Sequence, residues 1–182
     1  YLKSLNDNTA ALLIETKAEN DLVLAKNINL IRNALQFFNL HSRISFTKDK
    51  LEYTKLWNIR KGLFPSVGAA RRTGTTVIIE DIAFPLEQLP SAVVRLKELL
   101  NKHNYSDAII FGHALEGNLH FVFSQSFNME SEVQRYKSLM DDVSNLVVNE
   151  FDGSLKAEHG TGRNMAPFVE YEWGEQAYAI MK

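Results

Sequence analysis

Three histidines and a glutamate, carried by two short glycine-flanked segments, hold most of the chemistry open to this chain. The first segment is Gly112-His113-Ala114-Leu115-Glu116-Gly117-Asn118-Leu119-His120, and Glu158-His159-Gly160 answers it further along. Imidazoles and carboxylates bind divalent cations and move protons near neutral pH. Metal binding, acid–base catalysis or a combination of the two is therefore the chemistry to expect.

The elements that must position these groups can be read from their neighbours. Asp107 to His113 and Asn118 to Gln125 are rich in β-branched and aromatic residues and flank Leu115-Glu116-Gly117-Asn118, which predicts a hairpin with a short glycine-containing loop. If His113 stands opposite Asn118, Phe111 stands opposite His120. Alternation then places His113, Asn118 and His120 on one face and turns Leu119, Phe121 and Phe123 to the other. The competing reading makes each histidine a hydrogen-bonded residue at a sheet edge, and two on one face with an amide between them weigh against it.

Glu158 and His159 pose a different problem, because neighbours on a regular strand point to opposite faces. Gly153, Gly160 and Gly162 surround them and permit an irregular backbone, so a strand ending in a bend is expected. Glu158 would then complete a His-His-carboxylate set around a metal with an open position, leaving His159 as an acid or base. A solvated turn decorated by the two side chains is the alternative.

Gly-His-x-x-Glu-Gly-Asn-Leu-His followed by Ala-Glu-His-Gly resembles the C-terminal, substrate-side domain of FAD-linked 2-hydroxy acid dehydrogenases and oxidases. That family includes D-lactate dehydrogenases, the glycolate oxidase FAD subunit and D-2-hydroxyglutarate dehydrogenases. Ile79-Glu80-Asp81-Ile82-Ala83-Phe84-Pro85 has the look of a strand leading into a helix in that domain. Phe168-Val169-Glu170-Tyr171-Glu172-Trp173-Gly174 points to large bacterial members with an iron–sulfur module on the same polypeptide.

The resemblance implies roles. His113, His120 and Glu158 match metal ligands, the metal being zinc, manganese or iron, and His159 matches the histidine that takes the substrate hydroxyl proton while hydride leaves for the flavin. Asn118 matches a substrate-contacting asparagine, and Arg60, in Leu56-Trp57-Asn58-Ile59-Arg60, an arginine that grips the substrate carboxylate. There are departures: Glu116 replaces an aspartate, Phe64 a hydroxyl residue and Ile79 a lysine found in some dicarboxylate-oxidising relatives. Arg71 and Arg72 offer a second cationic contact and favour D-2-hydroxyglutarate over D-lactate.

Composition narrows the alternatives. A chain of 182 residues with 45% hydrophobic content suits one compact domain, residues 1–182. Its formal net charge of −2 argues against nucleic acid or an anionic membrane as the main partner. There is no cysteine, so no disulfide or iron–sulfur ligand comes from these residues. No charged-then-apolar leader and no long apolar run occurs, which leads to an expectation of a cytoplasmic protein, at most peripheral to the inner membrane, and compatible with a homo-oligomer.

Strand signals over Ala10–Glu15, Ser42–Phe46, Thr75–Ile82 and Ser154–Glu158 alternate with helical periodicity over Asp21–Phe38, Asp49–Gly62, Leu86–Leu100 and Glu130–Asn149. The tight hairpin favours an α+β fold, an antiparallel ferredoxin-like sheet with helices packed on one side. Gly160-Thr161-Gly162-Arg163-Asn164-Met165 has Met165 where a dinucleotide loop needs its third glycine. The resemblance implies that a separate domain holds FAD and that other parts carry any iron–sulfur cluster, so we expect an excised portion of a longer enzyme. A metal-dependent hydrolase or a non-catalytic ferredoxin-like ligand-binding module are the rival classes.

Overall fold

The computed structural model describes residues 9–182. The chain divides into two compact units, Tyr1–Gly62 and Leu63–Lys182. In the first, α1 (Asp21–Leu35) begins where the Asn20 side chain accepts a hydrogen bond from the Val23 N–H at 3.0 Å. α2 (Lys50–Lys61) begins at Asp49, whose carboxylate accepts from the N–H groups of Leu51 and Glu52. Such side chains satisfy donors that the first helical turn leaves open.

The strands expected over Ala10–Glu15 and Ser42–Phe46 do not form. Neither segment carries strand structure, and Leu12, Leu13 and Ile14 stay exposed. β-Propensity describes residues that fit a half-buried pleated surface, and without a neighbouring strand the backbone groups of such a segment gain nothing from a ladder.

The second unit opens with α3 (Leu63–Ala70), a helix that the sequence periodicity did not announce, and then builds its sheet. β1 (Thr76–Ala83), β2 (Ile109–His113) and β3 (Asn118–Gln125) are antiparallel in the order β1-β3-β2. α4 (Leu89–Lys102) joins β1 to β2, entered through a 3-10 turn at Leu86–Gln88, and α5 (Glu130–Asn145) follows β3 and runs on through a π turn at Leu146–Glu150. The expected last strand shrinks to one antiparallel bridge, Ala83 to Ser154, on the free edge of β1. This connectivity is the βαββαβ pattern with its final strand reduced to a single pair, and the fold is α+β as expected. A short helix, α6 (Gly162–Met165), and α7 (Val169–Met181), interrupted at Gly174 with φ of 77°, complete the unit.

Register divides the sheet into two chemically distinct faces. Ile78, Glu80 and Ile82 pair with Phe123, Phe121 and Leu119, so these side chains share a face. Leu89, Ala92 and Leu96 of α4 and Leu139, Met140 and Val143 of α5 join the apolar members of that face in one core. Each fully buried Leu, Ile or Phe there contributes about 1.5–3 kcal/mol relative to exposure. α4 and α5 thus cover one face. The opposite face carries Asp81, His113, Asn118 and His120.

Candidate functional site

The hairpin supplies the rigid half of the site. His113 pairs with Asn118 and Phe111 with His120, the register expected from alternation, while Ala114–Glu116 form a 3-10 turn between the strands. Gly117 closes that turn at φ of 65°, and its carbonyl accepts the Phe84 N–H at 2.9 Å. A methyl group on Gly117 would lie 2.1 Å from the Phe84 carbonyl oxygen, and one on Gly112 would lie 2.0 Å from that of Asn118. Both glycines are required by close backbone approach.

Glu158 and His159 reach the same face by leaving the sheet edge. After Ser154 the chain turns, and Glu158 Oε1 lies 2.9 Å from His120 Nε2 and 3.6 Å from His113 Nε2. The His159 ring stacks on that of His120 with centroids 4.7 Å apart and planes 16° from parallel. The bend expected at the end of a strand is present, but it begins right after the single bridge.

Asp81 is the residue that sequence reasoning passed over. It stands opposite His120 in the ladder and is fully buried. Its Oδ2 accepts hydrogen bonds from three successive backbone N–H groups, those of Ala157, Glu158 and His159, and Lys156 donates to its Oδ1 at 3.3 Å. Lys156 also donates to Glu80 Oε2 at 2.8 Å, and the Asn164 amide donates to Glu80 Oε1. Burial opposes ionisation of Asp81. The N–H groups of Glu158 and His159, with the ammonium of Lys156 and the nearby His159 ring, outweigh it and hold the carboxyl below its ordinary value. A carboxylate inside a run of β-branched residues, in register with a histidine, was the available signal.

Two ligand-type triads share His120: His113 with His120 and Glu158, and Asp81 with His120 and His159, the candidate donor atoms of each lying within 4.8 Å of one another. The Asp81 oxygens already accept from three amides and a lysine, so the first triad has the freer electron pairs. His-His-carboxylate is a donor set that suits zinc or other first-row cations with a position left open. Beside it both amide atoms of Asn118, itself 4% exposed, have no hydrogen-bond partner among the described residues. Such a group calls for a polar partner from outside the chain.

His120 is also prepared to ligate. Burial, followed by the nearby His159, lowers its pKa below the ordinary histidine value, so it needs to shed no proton at neutral pH. The unfolded chain binds a proton at about pH 6.5, whereas the folded one resists it. This contribution to stability is therefore complete above that pH and is lost as pH falls toward the folded value. In urea titrations of chelator-treated protein, His120→Gln should flatten the loss of stability between pH 7.5 and 5.5. An equally steep loss in the variant would remove His120 from the effect.

Arg60 sits in the last turn of α2, within the first unit. Arg71 donates to the carbonyls of Gly68 and Thr75 at 2.8 and 3.3 Å, which commits its guanidinium to the end of α3. Gly160 adopts φ of 69° ahead of α6, and Gly162, its first residue, φ of 62°. No glycine-rich nucleotide cradle occurs among the described residues.

A family model described as FAD linked oxidases, C-terminal domain, matches residues 2–182. Glycolate oxidase subunit GlcD of Bacillus subtilis is 26% identical over 117 residues, covering 64% of this chain and 24% of its own. A mitochondrial D-lactate dehydrogenase [cytochrome] of Kluyveromyces lactis is 27% identical over 147 residues, with 78% and 24% covered. A D-2-hydroxyglutarate dehydrogenase of Haemophilus influenzae is 28% identical over 125 residues, with 68% of this chain and 11% of its own covered. The chain spans about a quarter or less of the length of these relatives.

Proposed function

The chain belongs to the family of FAD linked oxidase C-terminal domains, and from that premise we propose that it supplies the metal ligands and the proton acceptor for oxidation of a D-2-hydroxy acid to the 2-oxo acid. The observation that carries this reading is the approach of His113 and His120 to one Glu158 oxygen, next to the buried, unpartnered amide of Asn118. A divalent cation on these ligands would supply Lewis acidity toward the substrate hydroxyl, and FAD would supply the hydride acceptor.

The remaining work falls to side chains of this chain. His159 Nδ1 faces Asp81 Oδ1 at 3.5 Å, which favours the tautomer with its proton on Nδ1 and leaves Nε2 to accept. His159 Nε2 would take the hydroxyl proton as the C2–H bond breaks and the C=O bond forms, the bound flavin being the group that would accept the hydride. Asn118, able both to donate and to accept, would hold the substrate against the sheet. With no glycine-rich cradle among the described residues, the flavin is assigned to the remainder of the longer polypeptide that the resemblance implies. A chain without cysteine leaves any iron–sulfur cluster there as well. D-Lactate and D-2-hydroxyglutarate are the leading substrates.

The test is anaerobic flavin reduction by the full-length protein with D- and L-2-hydroxy acids, before and after treatment with chelator. One D-acid should bleach the flavin, chelator should abolish bleaching, and added zinc, manganese or iron should restore it. Bleaching that survives complete metal removal, or none with any 2-hydroxy acid, overturns the reading. In the same assay Arg60→Lys should weaken substrate binding by about 1.5–3 kcal/mol if the arginine meets the carboxylate. Unchanged kinetics with a lowered melting temperature would return Arg60 to helix packing.

A further inference from the structure

We propose that Asp81 is a positioning residue whose buried carboxylate folds the 157–159 segment over the sheet face and so sets Glu158 and His159 beside His120. This rests on the metal reading above, but the geometry behind it is independent. β1 is an edge strand, and Ser154 and Ala83 exchange two backbone hydrogen bonds of 2.9 Å there. Were the pairing to continue, Lys156 would stand opposite Asp81, and Glu158 and His159 would point to opposite faces of the sheet.

The carboxylate of Asp81 prevents that. Its Oδ2 gathers the N–H groups of Ala157, Glu158 and His159 into a concave cluster of donors, a backbone arrangement suited to an anion. Three successive amides can converge on one oxygen only if the chain curls around it, and because Asp81 shares the His120 face, the curl lies over that face. Both side chains then come within reach of the His120 ring, Glu158 by its carboxylate and His159 by stacking. Glu80 steadies the same segment through Lys156 and Asn164, which lie on either side of the curl. Asp81 therefore acts through Glu158 and His159, its own oxygens being engaged by amides and by lysine.

The experiment compares wild type, Asp81→Asn and Asp81→Ala in the protein as purified, by hydrogen exchange of chelator-treated samples and by zinc titration. Asp81→Ala should speed exchange at Ala157, Glu158 and His159 selectively, leaving the Phe121–Phe123 amides protected, and should weaken zinc binding about 10–100-fold, the usual effect of removing a group that orients a ligand. Asp81→Asn, whose carboxamide oxygen can still accept from the same amides, should fall between. Glu158→Gln should cost less zinc affinity in the Asp81→Ala background than in wild type, because the two residues act in series.

Unchanged exchange at the three amides would overturn the proposal. So would loss of zinc from both Asp81 variants with exchange unaltered, which would make Asp81 itself a ligand, and so would additive penalties in the double variant. If wild type binds no zinc, the metal reading fails by itself, while exchange at the three amides still decides whether Asp81 folds the segment.

Discussion

Glu158→Gln and His159→Asn should part company in a metal analysis although the residues are neighbours. Glu158→Gln keeps size and hydrogen bonding but removes the charge on the oxygen that both His113 and His120 approach. Removing a ligand should cost more than removing a group that orients one, so metal affinity should fall by at least about 100-fold, and turnover with it. His159→Asn should leave metal content intact while slowing flavin reduction by about 10²–10⁴-fold, the range for a positioned proton acceptor. Elemental analysis and single-turnover flavin reduction on the full-length protein read the two effects separately. If His159→Asn empties the site and Glu158→Gln leaves it full, the roles are reversed. If neither changes metal content or rate, the cluster has no part in the reaction.

Gly117→Ala should be among the most damaging single-methyl changes in the second unit. Two costs combine there, a backbone at φ of 65° and a new carbon 2.1 Å from the Phe84 carbonyl oxygen. Left-handed backbone and forced overpacking together amount to about 2–5 kcal/mol. Gly160→Ala is the control, because its φ of 69° is similar but no atom lies within 4 Å of the added carbon. It should show the backbone cost alone, about 1–2 kcal/mol. Equal losses in urea unfolding would mean that Phe84 and the hairpin tip separate without penalty. That would weaken the view that the tip is pinned to the end of β1.

The helices show how much of the fold is written locally. α1, α2 and α5 lie within the segments whose apolar periodicity predicted them, and α4 overruns its segment only at the C-terminal end, because a helix closes its own hydrogen bonds and needs only one face covered. Two expected strands failed for the opposite reason. A strand needs a partner, and nothing within Ala10–Glu15 or Ser42–Phe46 says whether one will be present.

The sequence by itself determined the hairpin: two β-rich runs, a short glycine-containing loop and a side-chain period of two leave one register that buries Leu119, Phe121 and Phe123. That register places His113, Asn118 and His120 together. What only the tertiary structure decided is how consecutive Glu158 and His159 come to face the same ring. The answer lies with Asp81, remote in sequence, whose charge is buried and must collect donors, and the nearest donors are the amides of the segment leaving the sheet edge. Local periodicity can assign a residue to a face of its own element, but where a second segment bends is set by the unsatisfied groups it meets there.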